Sequence, residues 1–64
     1  MAAKLAELPA AVQATIRERV DLSPEPEIYR VEEEGERYIQ VDGTKAGKDV
    51  SINVALNGRF LGEN

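Results

Sequence analysis

Asp49-Val-Ser-Ile-Asn-Val-Ala-Leu-Asn-Gly-Arg-Phe60 is the stretch that decides the fold of this chain. Its apolar residues recur at every second position, and small or polar residues fill the positions between them. Because successive side chains of a β-strand point to opposite faces, this spacing predicts a strand with one apolar face. Asn57-Gly58 follows, a pair that tolerates positive φ and ends the strand in a tight turn. The apolar face consists of Val50, Ile52, Val54 and Leu56, and the other face of Ser51, Asn53 and Ala55.

A strand with one apolar face needs an apolar partner, and the N-terminal region supplies a helix. Its apolar residues are separated by steps of three and four, which is the spacing of one helical stripe. Proline fits the first turn of a helix but not its interior, so Pro9 indicates a main helix over about residues 9–20. Residues 1–7 are expected to be frayed or to form a separate turn. The stripe consists of Leu5, Leu8, Val12, Ile16 and Val20.

Three strands are predicted after the helix, at about residues 27–32, 37–42 and 49–56. Their short connections make them an antiparallel meander. Phe60 and Leu61 leave room for a short fourth strand, and Leu22 is expected to cap the core. The predicted fold is a single α+β domain over residues 1–64, in which one N-terminal helix packs on one face of a three-stranded antiparallel sheet (αβββ).

The register of the first hairpin decides which of its side chains enter the core. An even-length turn places Ile28 opposite Val41 in the core. It then leaves Tyr29, Val31 and Tyr38 on the open face of the sheet. An odd-length turn with a bulge would put Tyr29 and Val31 in the core instead. We favour the even register, and the sequence leaves both open.

The composition is that of a folded domain with an aliphatic core. Of its 64 residues, 42% are hydrophobic, 31% are charged and 5% are aromatic. No apolar run approaches the roughly 20 residues of a membrane-spanning helix, so we expect no membrane insertion. The net charge of −4, from 12 acidic and 8 basic residues, disfavours a nucleic-acid partner. The same charge is too small and too mixed to favour an acidic decoy that occupies a basic cleft.

Motifs for catalysis or cofactor binding are lacking. The chain has no histidine and no cysteine, which removes the usual general base, the thiol nucleophile and the commonest zinc ligands. No phosphate-binding glycine pattern occurs. The acidic run Glu32–Glu34 with Glu36 lacks calcium-site spacing and is typical of a solvated hairpin tip. We therefore expect no enzyme, no metal site and no cofactor.

What remains is surface. In the even register, Tyr29, Val31, Tyr38 and Gln40 form a small patch on the sheet face that points away from the helix. Such a patch suits a protein or peptide partner, or a second copy of the chain as a homodimer. A strand edge is a second candidate surface, because an unpaired edge can accept an added strand. The alternative interpretation is that the tyrosines are ordinary cross-strand neighbours on a solvated sheet.

Three segments resemble the PepSY-like domains, a group that includes the beta-lactamase-inhibitor-like family. Leu8–Ile16 resembles the family's opening helix, where a Leu-Pro pair precedes an Ala/Val-rich stretch. Glu33–Val41 resembles its glycine turn and tyrosine-led strand, and Val50–Leu61 resembles its closing strand and terminal turn. The resemblance covers nearly the whole chain. The link Leu22–Pro26, the phase of Tyr38 and the single copy of the unit depart from the family pattern.

The resemblance implies an αβββ unit of the kind found in extracytoplasmic bacterial proteins. It also implies noncatalytic binding of proteins or peptides and, in some members, inhibition of a protease or another enzyme. It carries no catalytic residue over to this chain. The location implied is periplasmic or extracellular if a leader has been removed, and cytoplasmic otherwise. We thus expect a noncatalytic protein- or peptide-binding module, with a structural domain of a larger bacterial envelope protein as the alternative.

Overall fold

One α-helix and five antiparallel strands make up the fold in a computed structural model that describes all residues, Met1–Asn64. The strands lie in the sheet in the order of the chain, each hydrogen-bonded to the next. A short 3₁₀ helix, Leu5–Glu7, precedes the α-helix. The elements are β1 (Ala2–Ala3), α1 (Ala10–Arg19), β2 (Glu27–Glu33), β3 (Glu36–Lys45), β4 (Lys48–Ala55) and β5 (Phe60–Glu63).

The expected three-stranded sheet with room for a fourth strand is wrong, because the sheet has five strands. The unexpected strand is β1, in a segment expected to be frayed or to form a turn. Arg30 N donates to Met1 O at 2.8 Å, and the Met1 amine donates to Arg30 O at 3.2 Å. Two consecutive alanines carry no alternation of apolar and polar side chains, so β1 has no periodic signal in the sequence. Its pairing depends on the backbone of β2.

The core lies between α1 and one face of the sheet. Because α1 covers only this face, the opposite face of the sheet has no covering layer. Nine apolar side chains form the core cluster, and no polar side chain is buried with them. They are Leu8, Val12, Ile16, Val20, Ile28, Ile39, Val41, Ile52 and Val54.

The even register of the first hairpin is confirmed: Ile28 lies opposite Val41, and Val31 lies opposite Tyr38. Glu34 and Gly35 form its two-residue turn with φ of 51° and 82°. Ala46-Gly47 closes the second hairpin with nearly the same angles, 52° and 82°. Turns with two positive φ values match the twist of the flanking strands, so the strands pair residue by residue up to the turn without a bulge. For this reason β3 continues past its expected end at Asp42 to Lys45.

Two contacts fix α1 against the sheet. In the middle of α1, Thr15 Oγ1 donates to the carbonyl oxygen of Gly58 in the turn before β5. Past its C-terminal end, Asp21 N donates to Thr44 O at 2.8 Å, and the Asp21 carboxylate accepts a 2.9 Å hydrogen bond from Ala46 N. These hydrogen bonds hold α1 at two separate points, which fixes its position over the core.

Two leucines expected to face the core are exposed instead. Leu56 is 45% exposed because β4 ends at Ala55, and the alternation of the strand does not continue into the turn. Leu22 is 40% exposed, while Pro26 is buried beside Gly43 at the same end of the core. No helix of this structure combines the length and the apolarity that crossing a membrane requires.

Candidate binding surface on the open sheet face

The sheet face opposite α1, hereafter the open face, is defined by the register of the central strands. On β2 and β3 its directly opposed pairs are Glu27 with Asp42, Tyr29 with Gln40, Val31 with Tyr38, and Glu33 with Glu36. On β3 and β4 they are Tyr38 with Ala55, Gln40 with Asn53, Asp42 with Ser51, and Thr44 with Asp49. Ala2 of β1 lies opposite Tyr29, and Gly62 of β5 lies opposite Asn53.

The four residues predicted as a site, Tyr29, Val31, Tyr38 and Gln40, lie together in the middle of the open face. They form two adjacent opposed pairs on β2 and β3, and all four are half-buried. Side chains opposed in this way lie close enough to form one continuous surface. We call these four residues the tyrosine patch.

Both phenols of the tyrosine patch donate to carboxylates of β2, Tyr29 from within that strand and Tyr38 from the neighbouring β3. Tyr29 donates a 2.6 Å hydrogen bond to Glu27 Oε2, and Tyr38 donates a longer one of 3.5 Å to Glu33 Oε2. The bond to Glu27 favours the neutral phenol and raises the pKa of Tyr29 above its ordinary value of 10.0. Desolvation and the negative charges of Glu27 and Asp42 act in the same direction.

The charges of the sheet are sorted between its two faces. The open-face positions of the strands carry five carboxylates and no lysine or arginine. All basic strand residues occupy positions on the helix side, where the acidic ones are Glu32 and Glu63. The open-face carboxylates are Glu27, Glu33, Glu36, Asp42 and Asp49, and the basic residues of the helix side are Arg30, Arg37, Lys45 and Lys48.

A shallow depression of about 540 Å³ lies on the open face beside the tyrosine patch. Its lining is almost entirely polar, and four of its residues are acidic: Glu25, Glu27, Asp42 and Asp49. No group of three or more acidic side chains converges closely enough to hold a metal ion. The four carboxylates therefore give the depression a negative charge but do not form the coordination sphere of a metal ion. We call it the acidic depression.

Two carboxylates of the acidic depression are held in place through one oxygen each. Asp42 Oδ1 accepts hydrogen bonds from Ser51 Oγ at 2.5 Å and Gln40 Nε2 at 3.4 Å. Glu27 is held through Oε2 by Tyr29. The second oxygen of each carboxylate, Asp42 Oδ2 and Glu27 Oε1, accepts no hydrogen bond from the chain. Each carboxylate is thus oriented by its neighbours and keeps one acceptor oxygen for a ligand.

Asn64 closes one side of the acidic depression. Its backbone N–H donates to Ser51 O at 2.8 Å, and its Nδ2 donates to Ser51 Oγ at 3.1 Å. Asn53 Nδ2 donates to Asn64 Oδ1 at 2.9 Å. These bonds link the open-face side chains of β4 to the end of β5, so this wall is built from hydrogen-bonded side chains.

The strand edges, the second surface considered from the sequence, are short. The two outer strands are β1, which has two residues, and β5, which has four residues and pairs with β4 through an irregular register. Short and irregular edges are poor templates for an added strand. A second depression, of about 410 Å³, lies along β2 and β3 near Met1, Arg30, Arg37 and Leu56. It shares Val31 and Tyr38 with the tyrosine patch and has no residue in common with the acidic depression.

Sequence reasoning located the tyrosine patch but missed the acidic depression. Glu27, Asp42 and Asp49 fall at the ends of the strands predicted at 27–32, 37–42 and 49–56, and none of them is a predicted site residue because each carboxylate is unremarkable alone. The signal is visible once the register is assumed, because acidic residues of all three central strands then occupy positions of the same face. No family model, curated protein or solved structure matches the chain.

Proposed function

We propose that this protein is a noncatalytic module that binds a protein or peptide through its open face. The observation that carries the proposal is the tyrosine patch: two tyrosines, a valine and a glutamine lie side by side on a sheet face that no element of the fold covers. Tyrosine is enriched at binding surfaces because its ring contributes apolar contact area while its hydroxyl remains hydrogen-bonded.

The order in the tyrosine patch supports the proposal. A binding surface loses less entropy on association when its side chains are already held in place. The 2.6 Å hydrogen bond of Tyr29 to Glu27 orients that ring before a partner arrives, whereas the 3.5 Å contact of Tyr38 with Glu33 holds the second ring less firmly. Both tyrosines lie on β2 and β3, which are central strands of the sheet and give the patch a firm base.

The resemblance to PepSY-like domains, carried by the Leu-Pro helix start and by the order of turns and strands, adds a more specific version of the proposal. In that version the partner is a protease or another enzyme that the module inhibits, and the protein works in the bacterial periplasm or outside the cell. The alternative proposal is a structural domain of a larger bacterial envelope protein, in which the open face has no partner of its own. Self-association into a homodimer through the same face is a third version.

A displayed library of random short peptides tests the proposal. Peptides are selected on the wild-type protein and then compared on a Tyr29→Ala/Tyr38→Ala variant and on an Arg17→Ala control. Arg17 lies on the exposed surface of α1, so its loss leaves the open face intact. Circular dichroism establishes that all three proteins are folded.

We expect selected peptides that lose most of their affinity for the double tyrosine variant and keep it for the control. An enriched set that binds all three proteins equally well would contradict the proposed function and favour the structural alternative. Light scattering on the wild-type protein detects the homodimer. A dimer that the double tyrosine variant does not form would assign the open face to self-association.

A further inference from the structure

We propose that the partner segment recognised by the open face is basic: a stretch of protein chain whose lysine or arginine side chains enter the acidic depression while its neighbouring residues lie on the tyrosine patch. This inference rests on the proposed function and names the chemistry of its partner. It commits to a protein segment, because the tyrosine patch and the acidic depression are contiguous and together offer contacts to both apolar and cationic side chains.

Charge complementarity is the first argument. The net charge of −4 conceals a face on which all charged strand residues are acidic. The two ion pairs of the chain, Arg37 with Glu32 and Lys45 with Asp21, involve no carboxylate of the open face, so none of its five acidic side chains has a cationic partner within the fold. A basic segment would find uncompensated negative charge there.

The cost of this arrangement in the free protein is the second argument. Within the acidic depression, Glu27 lies directly opposite Asp42 on the neighbouring strand. Like charges opposed across two strands are destabilising. A bound cation removes that repulsion, so part of the binding free energy comes from the relief of a strain that the free domain contains.

The free acceptor oxygens are the third argument. Asp42 Oδ2 and Glu27 Oε1 belong to carboxylates whose other oxygen is already fixed. An ammonium or guanidinium group donates several charge-assisted hydrogen bonds and fits such a pair of oriented acceptors. The hydroxyl of Tyr29 is bonded to this same Glu27 carboxylate, so the tyrosine patch begins beside the free oxygen of Glu27.

The same charges distinguish a basic partner from a second copy of this chain. Two open faces packed on each other would bring ten carboxylates together, twice the five of one face, without an opposing lysine or arginine from the strand positions of either face. A basic segment meets no such repulsion.

Two capped peptides of equal length, pentalysine and pentaglutamine, test the inference by titration into the isotopically labelled protein. We expect pentalysine to bind more tightly, to shift the backbone amide signals of β2, β3 and β4 around Glu27, Asp42 and Asp49, and to lose affinity as salt is raised. Asp42→Asn keeps the Oδ1 acceptor for Ser51 and removes the charge. It should weaken pentalysine binding about twofold to fivefold, the range that exposed ion pairs give. Glu27→Gln should act similarly.

Glu18→Gln is the matched control, because it removes the same charge from the exposed surface of α1. We expect it to change the affinity for pentalysine by less than either open-face variant. Equal weakening by Glu18→Gln, equal binding of the two peptides, or signal changes confined to the helix side would each overturn the inference. Signal changes on the open face that appear with protein concentration alone would overturn it in favour of self-association.

The failure of this inference is distinguishable from failure of the proposed function. Selected peptides that depend on the tyrosines but are neutral or acidic would preserve the function and refute the basic partner. Basic residues enriched among the selected peptides would support both.

Discussion

The phenol of Tyr29 donates a 2.6 Å hydrogen bond to Glu27 Oε2, and this contact joins the two halves of the open face. Tyr29 belongs to the tyrosine patch, whereas Glu27 lines the acidic depression. The two residues are separated by one position on β2, so both side chains point to the same side of the sheet. A ligand that reaches the free oxygen of Glu27 therefore binds a carboxylate that the hydroxyl of Tyr29 holds in place.

The first prediction concerns the alkaline titration of Tyr29. Its raised pKa means that the folded chain holds the phenol proton more tightly than the unfolded chain. The resulting contribution to stability is present below pH 10.0 and is lost as the pH rises through the raised pKa. In a Tyr38→Phe background, where Tyr29 is the one remaining tyrosine, ultraviolet absorbance follows this titration.

Glu27→Gln in the same background should lower the pKa of Tyr29, because it removes the negatively charged acceptor of the phenol's hydrogen bond. The urea-unfolding midpoint of the Tyr38→Phe protein should also fall more steeply at alkaline pH than that of the double variant. An unchanged titration curve after Glu27→Gln would show that another group causes the shift.

The second prediction tests the assignment of the two faces of β4. Ile52 is buried in the core and lies opposite Val41, so Ile52→Ala should lower the free energy of unfolding by about 2–5 kcal/mol. If that variant does not fold, Ile52→Val provides a milder test with a loss of about 0.5–1.5 kcal/mol. Urea unfolding measures both.

Asn53→Ala is the control for this prediction, because Asn53 is the next residue of β4 and lies on the open face. The loss of stability should stay near 1 kcal/mol or below, since the substitution removes two exposed hydrogen bonds with Asn64 and no core contact. A greater loss from Asn53→Ala than from Ile52→Ala would reverse the two faces.

The third prediction concerns the turn that packs against α1. A Cβ atom at Gly58 would lie 2.7 Å from the carbonyl oxygen of Ala11, and the residue has a φ of 92°. Gly58→Ala must therefore both strain the turn and displace the helix backbone. Gly47 has a similar φ of 82°, and a Cβ atom there would have no neighbour within 4 Å.

Gly47→Ala is thus the matched control, with a loss of about 1–2 kcal/mol for positive φ alone. Gly58→Ala should lose about 1–3 kcal/mol more, the usual cost of overpacking. Thermal and urea unfolding compare the two variants. Similar losses for both would mean that the turn and α1 are less tightly packed than the 2.7 Å approach indicates.

The sequence was most informative where one element has a strong period. Val12 and Ile16 of the helical stripe meet Ile52 and Val54 of the alternating strand, as their spacing predicts. The two-residue turn after Glu33 was enough to favour the correct register, because an even turn keeps Ile28 and Val41 on one face. These features depend on local backbone geometry, which the spacing of side chains reports directly.

The sequence was least informative where structure depends on a neighbour. Ala2 and Ala3 become a strand because β2 offers backbone hydrogen bonds, and their own side chains carry no preference that would reveal it. In the sequence, Leu56 continues the alternation of apolar residues along β4. The strand nevertheless ends at Ala55, and the side chain of Leu56 is exposed. Periodicity identifies a face and does not identify where the face stops.

The sequence by itself determined the α+β class and most side chains of the core, because these follow from the period of one helix or strand. Only the tertiary structure decided the register that brings the tyrosine patch together, and that every charged strand residue on the open face is acidic. The charge of the open face comes from β2, β3 and β4 together. The pairing register of these strands decides which of their charged side chains lie on that face. The same 12 acidic and 8 basic residues in another register would give mixed charge on both faces.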